Sequence, residues 1–287
     1  MKLGGWFSKL GGKAGSQGPS AAPPMLGSPK RFPYGPFQFK IGLSCGGAYE
    51  IRASSDLQNW TTIASGNVSK ASFERPLSFE HLDPDAPTLG HRFYRVFAGG
   101  TPSANVIGYA SISLPPGFSM VANPLNAPDN SIAALFATWP DGTTLNKFDT
   151  GTFRLTGNGI NNKSWANPHD QFVPGEGAIC FNPTPEHRPL TFVGEVMQGH
   201  PSIPIAAGFS IRSSPVPQNG LLQEELGFPI ADGDVIHLFD REKKKYLLHP
   251  YENGKWINGS PSVTIGESFW VAKKTPGNWA HDFTIGS

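Results

Sequence analysis

The chain has 287 residues, a hydrophobic fraction of 38% and a formal net charge of +1. That hydrophobic fraction supports packed cores and excludes a chain that is disordered throughout. No stretch is long and apolar enough for a membrane helix, and the residues after position 35 are mildly acidic, which argues against a nucleic-acid-binding protein. The 34 glycines and 28 prolines are spread along the sequence and favour many short strands joined by tight turns.

Residues 1–35 are rich in Gly, Pro, Ser and Ala, and they carry basic but no acidic side chains. This composition predicts a flexible basic leader. Trp6 and Phe7 are the residues of this leader that we expect to dock on a partner. No clear signal peptide is expected, because Lys9 and several glycines interrupt the apolar core that such a signal needs.

Residues 36–103 read as a small β-sandwich of immunoglobulin or fibronectin type. Residues 49–53 alternate between apolar and polar side chains, as a half-buried strand does. The segments that predict strands are FQFKIG, AYEIRAS, WTTIAS, ASFERPLSF and RFYRVF.

An internal repeat is the clearest pattern in the rest of the chain. Many residues recur at an offset of 91, so we predict two tandem β-rich units at residues 104–196 and 197–287. The matched positions are Gly117-Phe118-Ser119 with Gly208-Phe209-Ser210, Pro124 with Pro215, Leu135 with Leu226, Asp141-Gly142 with Asp232-Gly233, Phe148-Asp149 with Phe239-Asp240, Trp165 with Trp256, Gly175-Glu176 with Gly266-Glu267, Thr184-Pro185 with Thr275-Pro276, and Phe192 with Phe283.

The run Phe148-Asp149-Thr150-Gly151 looks like the active-site strand of an aspartic protease, and the repeat supplies a second aspartate at Asp240. A shared carboxylate dyad needs small residues after both aspartates, so that the two backbones can approach closely. Asp240 is instead followed by Arg241 and Glu242. We therefore predict two β-hairpins, TLNKFD-TG-TFRL and VIHLFD-REKK-KYLL, the second with the longer tip.

No other catalytic or metal-binding constellation stands out, so the sequence predicts neither an enzyme nor a cofactor. The eight histidines form no zinc motif, and Cys45 and Cys180 are too few for a thiolate site. Glu176 and Glu267 each follow a glycine just before an apolar strand, where a carboxylate accepts backbone N–H bonds. A hydrolase that uses these two glutamates, or Asp149 and Asp240, is the remote alternative.

The seven tryptophans divide into two groups. Trp165 and Trp256 occupy equivalent positions in the two units, which indicates shared core packing. Trp139, Trp270 and Trp279 have no tryptophan counterpart, so they are the candidate binding residues. Aromatic rings present apolar area at low entropic cost to sugars and peptides.

The run SSDLQNW at residues 54–60, followed by RFYRV at residues 92–96, resembles a short module near the C-terminal ends of secreted or surface-exposed bacterial proteins. The repeats are similar to β-rich, largely uncharacterised modules of such proteins. The resemblance covers residues 45–287 and implies an exported, non-enzymatic module at the cell surface or outside the cell. SSDLQNW also resembles the Asp-box turn of sialidase-like propellers, which implies a turn role for Asp56 and a core role for Trp60.

The sequence thus predicts an all-β protein: a leader, a small immunoglobulin-like or fibronectin-like sandwich and two tandem β-rich repeat units. The function it favours is a non-catalytic binding or adhesion module that recognises a glycan or protein. The alternative is a structural subunit of a surface assembly, docked through the leader and exposed strand edges. Neither reading involves nucleic acid or a transmembrane segment, and the second implies self-assembly.

Overall fold

The computed structural model describes residues 22–32, 35–69, 77–280 and 282–285. Strands account for 53% and helices for 3% of the structure, which confirms the all-β prediction. Helical structure in the described residues is limited to the short helix α1 (Ile132–Leu135) and a single 3₁₀ turn at Ala86–Thr88. A search of the same residues finds no helix with the length and apolar character needed to cross a bilayer.

The strands of the first part of the chain are β1 (Met25–Arg31), β2 (Phe37–Leu43), β3 (Gly47–Ser54), β4 (Thr61–Val68), β5 (Leu77–Asp83), β6 (His91–Ala98), β7 (Thr101–Pro102) and β8 (Ile107–Leu114). Next come β9 (Gly117–Ala122), β10 (Thr144–Asp149), β11 (Arg154–Asn161), β12 (Ser164–Trp165), β13 (Gly177–Asn182) and β14 (Arg188–Glu195). The last group is β15 (Ser202–Ile205), β16 (Gly208–Arg212), β17 (Gly220–Leu221), β18 (Val235–Asp240), β19 (Lys245–Glu252), β20 (Lys255–Trp256), β21 (Ser262–Val263), β22 (Phe269–Lys273) and β23 (Gly277–Ala280).

Two sheets enclose the first core. One has the strand order β1-β2-β5, and the other has the order β14-β8-β6-β3-β4, with β7 paired to β6. Alternation along β2 sends its apolar side chains into this core and leaves Lys40 exposed. An immunoglobulin or fibronectin topology for this region stays a prediction. The core side chains of β2 are Phe37, Phe39, Ile41 and Leu43.

The predicted leader is wrong for Met25–Arg31, which form strand β1 antiparallel to β2. Leu26 is buried in the first core, and its backbone N–H and C=O both bond to the side chain of Asn105. The sequence pattern does not predict this strand, because its pairing register shifts between Gly27 and Lys30, around Ser28 at φ 49°. That irregularity removes the alternation on which strand prediction depends. Trp6 and Phe7 lie outside the described residues, so their docking role stays a prediction.

The predicted boundary between residues 103 and 104 is wrong, because it falls inside a continuous sheet. Strand β8, which begins the predicted first unit, pairs with β6 on one side and with β14 on the other. The positions equivalent to β8 and β14 in the second unit contribute to the small two-stranded sheet β15-β23 and to the isolated bridge between Gly199 and Phe283. The first and last strands of the first unit therefore complete the sheet of the preceding module.

The inner strands of the two units form equivalent five-stranded sheets. The first repeat sheet has the order β12-β11-β10-β13-β9, and the second repeat sheet has the order β20-β19-β18-β22-β16. Paired residues correspond at the offset of 91: Thr144 pairs with Phe181 and Val235 with Ala272. Each sheet covers its own core on its inner face.

The two repeat sheets meet through reciprocal contacts. The N–H of Ala122 donates to the carbonyl of Gly266 over 2.9 Å, and 91 residues away the N–H of Ser213 donates to the carbonyl of Gly175 over 3.2 Å. A Cβ placed on Gly177 would come within 2.6 Å of the Cβ of Ser268, its own counterpart. Such reciprocity is what a local two-fold axis produces. The hairpin of each unit is thereby brought over the outer face of the other sheet.

Candidate functional site

The outer faces of the repeat sheets carry large apolar side chains that lie outside both cores. Phe118 is 55% exposed and Phe209, its counterpart, is 46% exposed. Isolated exposed apolar residues are common on proteins, whereas a contiguous group marks a binding surface. The local two-fold relation creates two equivalent clefts here, each between one outer face and the hairpin of the other unit.

One of the two clefts is filled. Trp270, on the second repeat sheet, packs edge-to-face against Phe148 of the first unit's hairpin, with ring centroids 4.9 Å apart. At the tip of that hairpin, Phe153 covers Gly208, where an added Cβ would lie 3.0 Å from the Phe153 ring. Two aromatic side chains thus occupy the space between the face and the hairpin, although Phe153 itself remains 59% exposed.

The other cleft is open. The residue equivalent to Trp270 is Ile179, and the residue equivalent to Phe153 is Lys244. A Cβ built on Gly117, the counterpart of Gly208, meets no atom within 4 Å. The result is a cavity of about 660 Å³, which we call the apolar groove. Its lining residues are Pro116, Gly117, Phe118, Ser119, Met120, Thr144, Asn146, Leu155, Ile179, Phe239, Arg241, Lys244 and Tyr246.

The floor and walls of the apolar groove come from different units. Met120, Ile179 and Leu155 are contributed by the first repeat sheet, and Phe239 and Tyr246 by the hairpin of the second. The two aromatic rings contact each other at a centroid distance of 5.2 Å. The volume lies within the 300–1,000 Å³ typical of ligand sites and the lining is mainly apolar, so the groove is a candidate ligand site.

Two cations stand at the hairpin side of the groove. Arg241 donates an Nη2 N–H to the carbonyl of Met120 over 3.0 Å, which ties the hairpin to the floor. Lys244 is exposed and has φ 52°, the left-handed conformation that Phe153 also adopts at φ 54°. The same turn geometry therefore places a phenyl ring over one cleft and an ammonium group over the other.

The structure corrects the prediction that the three tryptophans without a counterpart in the other unit form an exposed binding surface. Trp139 is only 7% exposed and Trp279 is 0% exposed, so both are core residues. Trp139 packs against Phe136, and Trp279 packs against Phe228. Trp270 is half-buried and fills the closed cleft. Trp139 and Trp279 thus belong to differences in core packing between the units, whereas Trp270 belongs to the difference between the clefts.

The aspartates of the protease-like motif close turns. Asp149 accepts hydrogen bonds from the N–H of Gly151 and from Thr152, and these bonds hold the pKa of its exposed carboxyl below the usual value. Asp240 accepts from the N–H groups of Lys243 and Glu242, and its pKa is lowered for the same reason. The predicted two-residue tip is wrong: Asp149 pairs with Arg154, so both hairpins have four-residue tips.

The remaining candidate nucleophiles and acids also have structural roles. Glu176 accepts from the N–H of Val173 and pairs with Lys147 at 2.7 Å, while Glu267 accepts from the N–H of Thr264. Burial raises the pKa of the Cys180 thiol to about 12, which keeps it protonated. No group of three or more metal-ligating side chains occurs within the described ranges.

The Asp-box-like run forms a turn, as its residues predict. Burial alone would raise the pKa of Asp56, but hydrogen bonds from the side chain and backbone of Asn59 and from the N–H of Gln58 hold it well below its usual value. Trp60 is half-buried against a core cluster that includes Leu57. This turn lies outside the apolar groove.

Searches of family models, curated proteins and solved structures return no match for this chain. The likeness of residues 45–287 to bacterial surface modules therefore stays a prediction.

Proposed function

We propose that this chain is a non-catalytic binding module, that its ligand is a protein or a glycan, and that the apolar groove is the binding site. The observation that carries the proposal is the difference between two equivalent clefts. Trp270 and Phe153 fill one cleft, while Ile179 and Lys244 leave the other open. Leaving apolar surface such as Phe118 in water costs free energy, and a partner that covers it recovers that free energy.

Two further arguments support binding over catalysis. The carboxylates that a hydrolase would use, Asp149, Asp240, Glu176 and Glu267, are each engaged in a turn. Among the residues that the structure describes, those that line the groove include no Asp, Glu, His or Cys. Resemblance to modules of secreted bacterial proteins supports an extracellular or cell-surface location for this activity.

Replacing Ile179 with Trp tests the site, because it copies onto the open cleft the residue that fills the closed one. We expect the wild-type protein to bind the fluorescent aryl sulfonate 8-anilinonaphthalene-1-sulfonate at one saturable site. The Ile179→Trp variant should bind it at least about tenfold more weakly, with an unchanged far-UV circular dichroism spectrum.

The matched control is Asp149→Asn, which alters an exposed turn and should leave binding of the dye unchanged. Equal binding by the wild type and Ile179→Trp would contradict the proposal. So would the absence of a saturable site in the wild type.

A further inference from the structure

The apolar groove combines hydrophobic walls with two cationic side chains, Arg241 and Lys244. In the described part of the chain its lining residues include Arg241 and Lys244 and neither Asp nor Glu. Arg241 donates one N–H to Met120, and a guanidinium group has further N–H donors that remain for a ligand. Within the described ranges Lys244 has no ion-pair partner, whereas the neighbouring Lys243 pairs with Asp240 at 3.0 Å. The charge of the groove is therefore complementary to an anion.

The cationic character is specific to the open cleft. At the tip of the other hairpin the positions of Arg241 and Lys244 are occupied by Thr150 and Phe153. The substitution that opens the cleft thus also adds positive charge to it. A ligand that exploits both changes needs an apolar group for Ile179 and the aromatic wall, and an anionic group for Lys244.

Several polar side chains of the groove are already hydrogen-bonded within the protein, which disfavours a sugar; Tyr246 Oη, for example, accepts from Trp270 Nε1. Every buried hydroxyl of a glycan needs a hydrogen-bond partner, or binding loses the free energy of desolvation. Of the polar side chains in the groove, the amide of Asn146 already donates to Thr144 Oγ1 and to the carbonyl of Ile179. A peptide with large apolar side chains leaves fewer polar groups to satisfy.

We infer that the ligand is an acidic, apolar peptide segment of a partner protein, whose apolar side chains enter the groove while its carboxylates pair with Lys244 and Arg241. This inference deepens the proposed function and rests on it. The peptide segment that we infer contains one or two large apolar side chains flanked by Glu or Asp.

Three acetylated and amidated heptapeptides, labelled with fluorescein, separate the two parts of this chemistry. GEELFEG carries both the apolar and the acidic residues, GQQLFQG lacks the charge, and GEEAAEG lacks the large apolar side chains. By fluorescence anisotropy we expect GEELFEG to bind the full-length protein and GQQLFQG to bind about tenfold more weakly. GEEAAEG should show no saturable binding to the wild-type protein. GEELFEG should show no saturable binding to the Ile179→Trp variant.

Lys244→Gln and Lys245→Gln form a matched pair of variants. Both remove one positive charge, but successive side chains of a strand point to opposite faces, so Lys245 points away from the face that carries Tyr246. We expect Lys244→Gln to weaken binding of GEELFEG about tenfold and to remove the preference for GEELFEG over GQQLFQG. Lys245→Gln should behave as the wild type.

Equal affinity for GEELFEG and GQQLFQG, equal effects of the two lysine variants, or no peptide binding at all would overturn the inference. Titration with cellohexaose distinguishes this failure from failure of the proposed function. If the sugar binds the wild type and not Ile179→Trp, the groove is a glycan site and only the peptide inference falls. If the aryl sulfonate also fails to bind, the proposed function falls as well.

Discussion

Replacing Lys273 with Met is expected to lower the free energy of unfolding by about 3–5 kcal/mol, because it leaves a buried carboxylate without its cation. Asp234 is 0% exposed and Lys273 is 6% exposed, and the two side chains form an ion pair. The ammonium group also donates to the carbonyl of Pro229, and Asp234 accepts from the backbone N–H of Ala231. Water cannot replace the lost cation at so buried a position.

Urea unfolding followed by circular dichroism measures this effect. The control is the double-mutant cycle with Asp234→Asn, which removes the charge that Lys273 neutralises. We expect a coupling free energy of at least about 1 kcal/mol between the two sites. A loss below about 1 kcal/mol for Lys273→Met alone would contradict a buried, structurally required pair. The equivalent positions of the first unit, Asn182 and Thr143, carry no charge, so the pair stabilises the second unit specifically.

Replacing Trp279 with Ala is expected to cost about 3–5 kcal/mol of stability, because it creates a large cavity in the second repeat core. The ring packs edge-to-face on Phe228, with centroids 4.9 Å apart, and contacts Phe269. Its Nε1 N–H donates to the carbonyl of Leu226 over 2.8 Å, so that carbonyl loses its partner as well. Urea unfolding by circular dichroism measures the loss without depending on tryptophan fluorescence.

Trp279→Phe separates packing from hydrogen bonding at the same position. It keeps most of the ring contact and loses the bond to Leu226, so we expect a cost well below that of Trp279→Ala. If Trp279→Ala left stability unchanged and instead removed ligand binding, the core assignment would be wrong. The sequence-based view of Trp279 as a binding residue would then return.

The all-β class and several strands were readable from the sequence because the alternation of apolar and polar side chains is a local signal. The segments FQFKIG, AYEIRAS and RFYRVF lie within β2, β3 and β6. Strand β1 was missed, because Gly27, Ser28 and Pro29 interrupt its pattern at an irregular register. The pairing of β8 with β6 was missed because the offset of 91 assigned β8 to the first repeat unit, and a repeat pattern does not show which sheet a strand joins.

The candidate site was only partly accessible from the sequence. Comparison of the units singled out Trp270, but it grouped this residue with Trp139 and Trp279. The type of residue at a position does not show whether its side chain is buried. The informative signal was the residue opposite Trp270 in the alignment, the much smaller Ile179. That difference predicts a cavity only if both positions face the other unit. They do so because the two units pack around a local two-fold axis, and a local sequence pattern does not reveal that packing.

The most direct test of a ligand site in the apolar groove is a methyl NMR titration of the full-length protein with 8-anilinonaphthalene-1-sulfonate. Ile179 and Met120 line the groove, whereas Ile205 and Ile236 belong to the second repeat core. We predict saturable shifts of the Ile179 and Met120 methyl signals, while those of Ile205 and Ile236 stay in place. Shifts confined to methyl groups away from the groove, or no saturable shift at Ile179, would contradict the account.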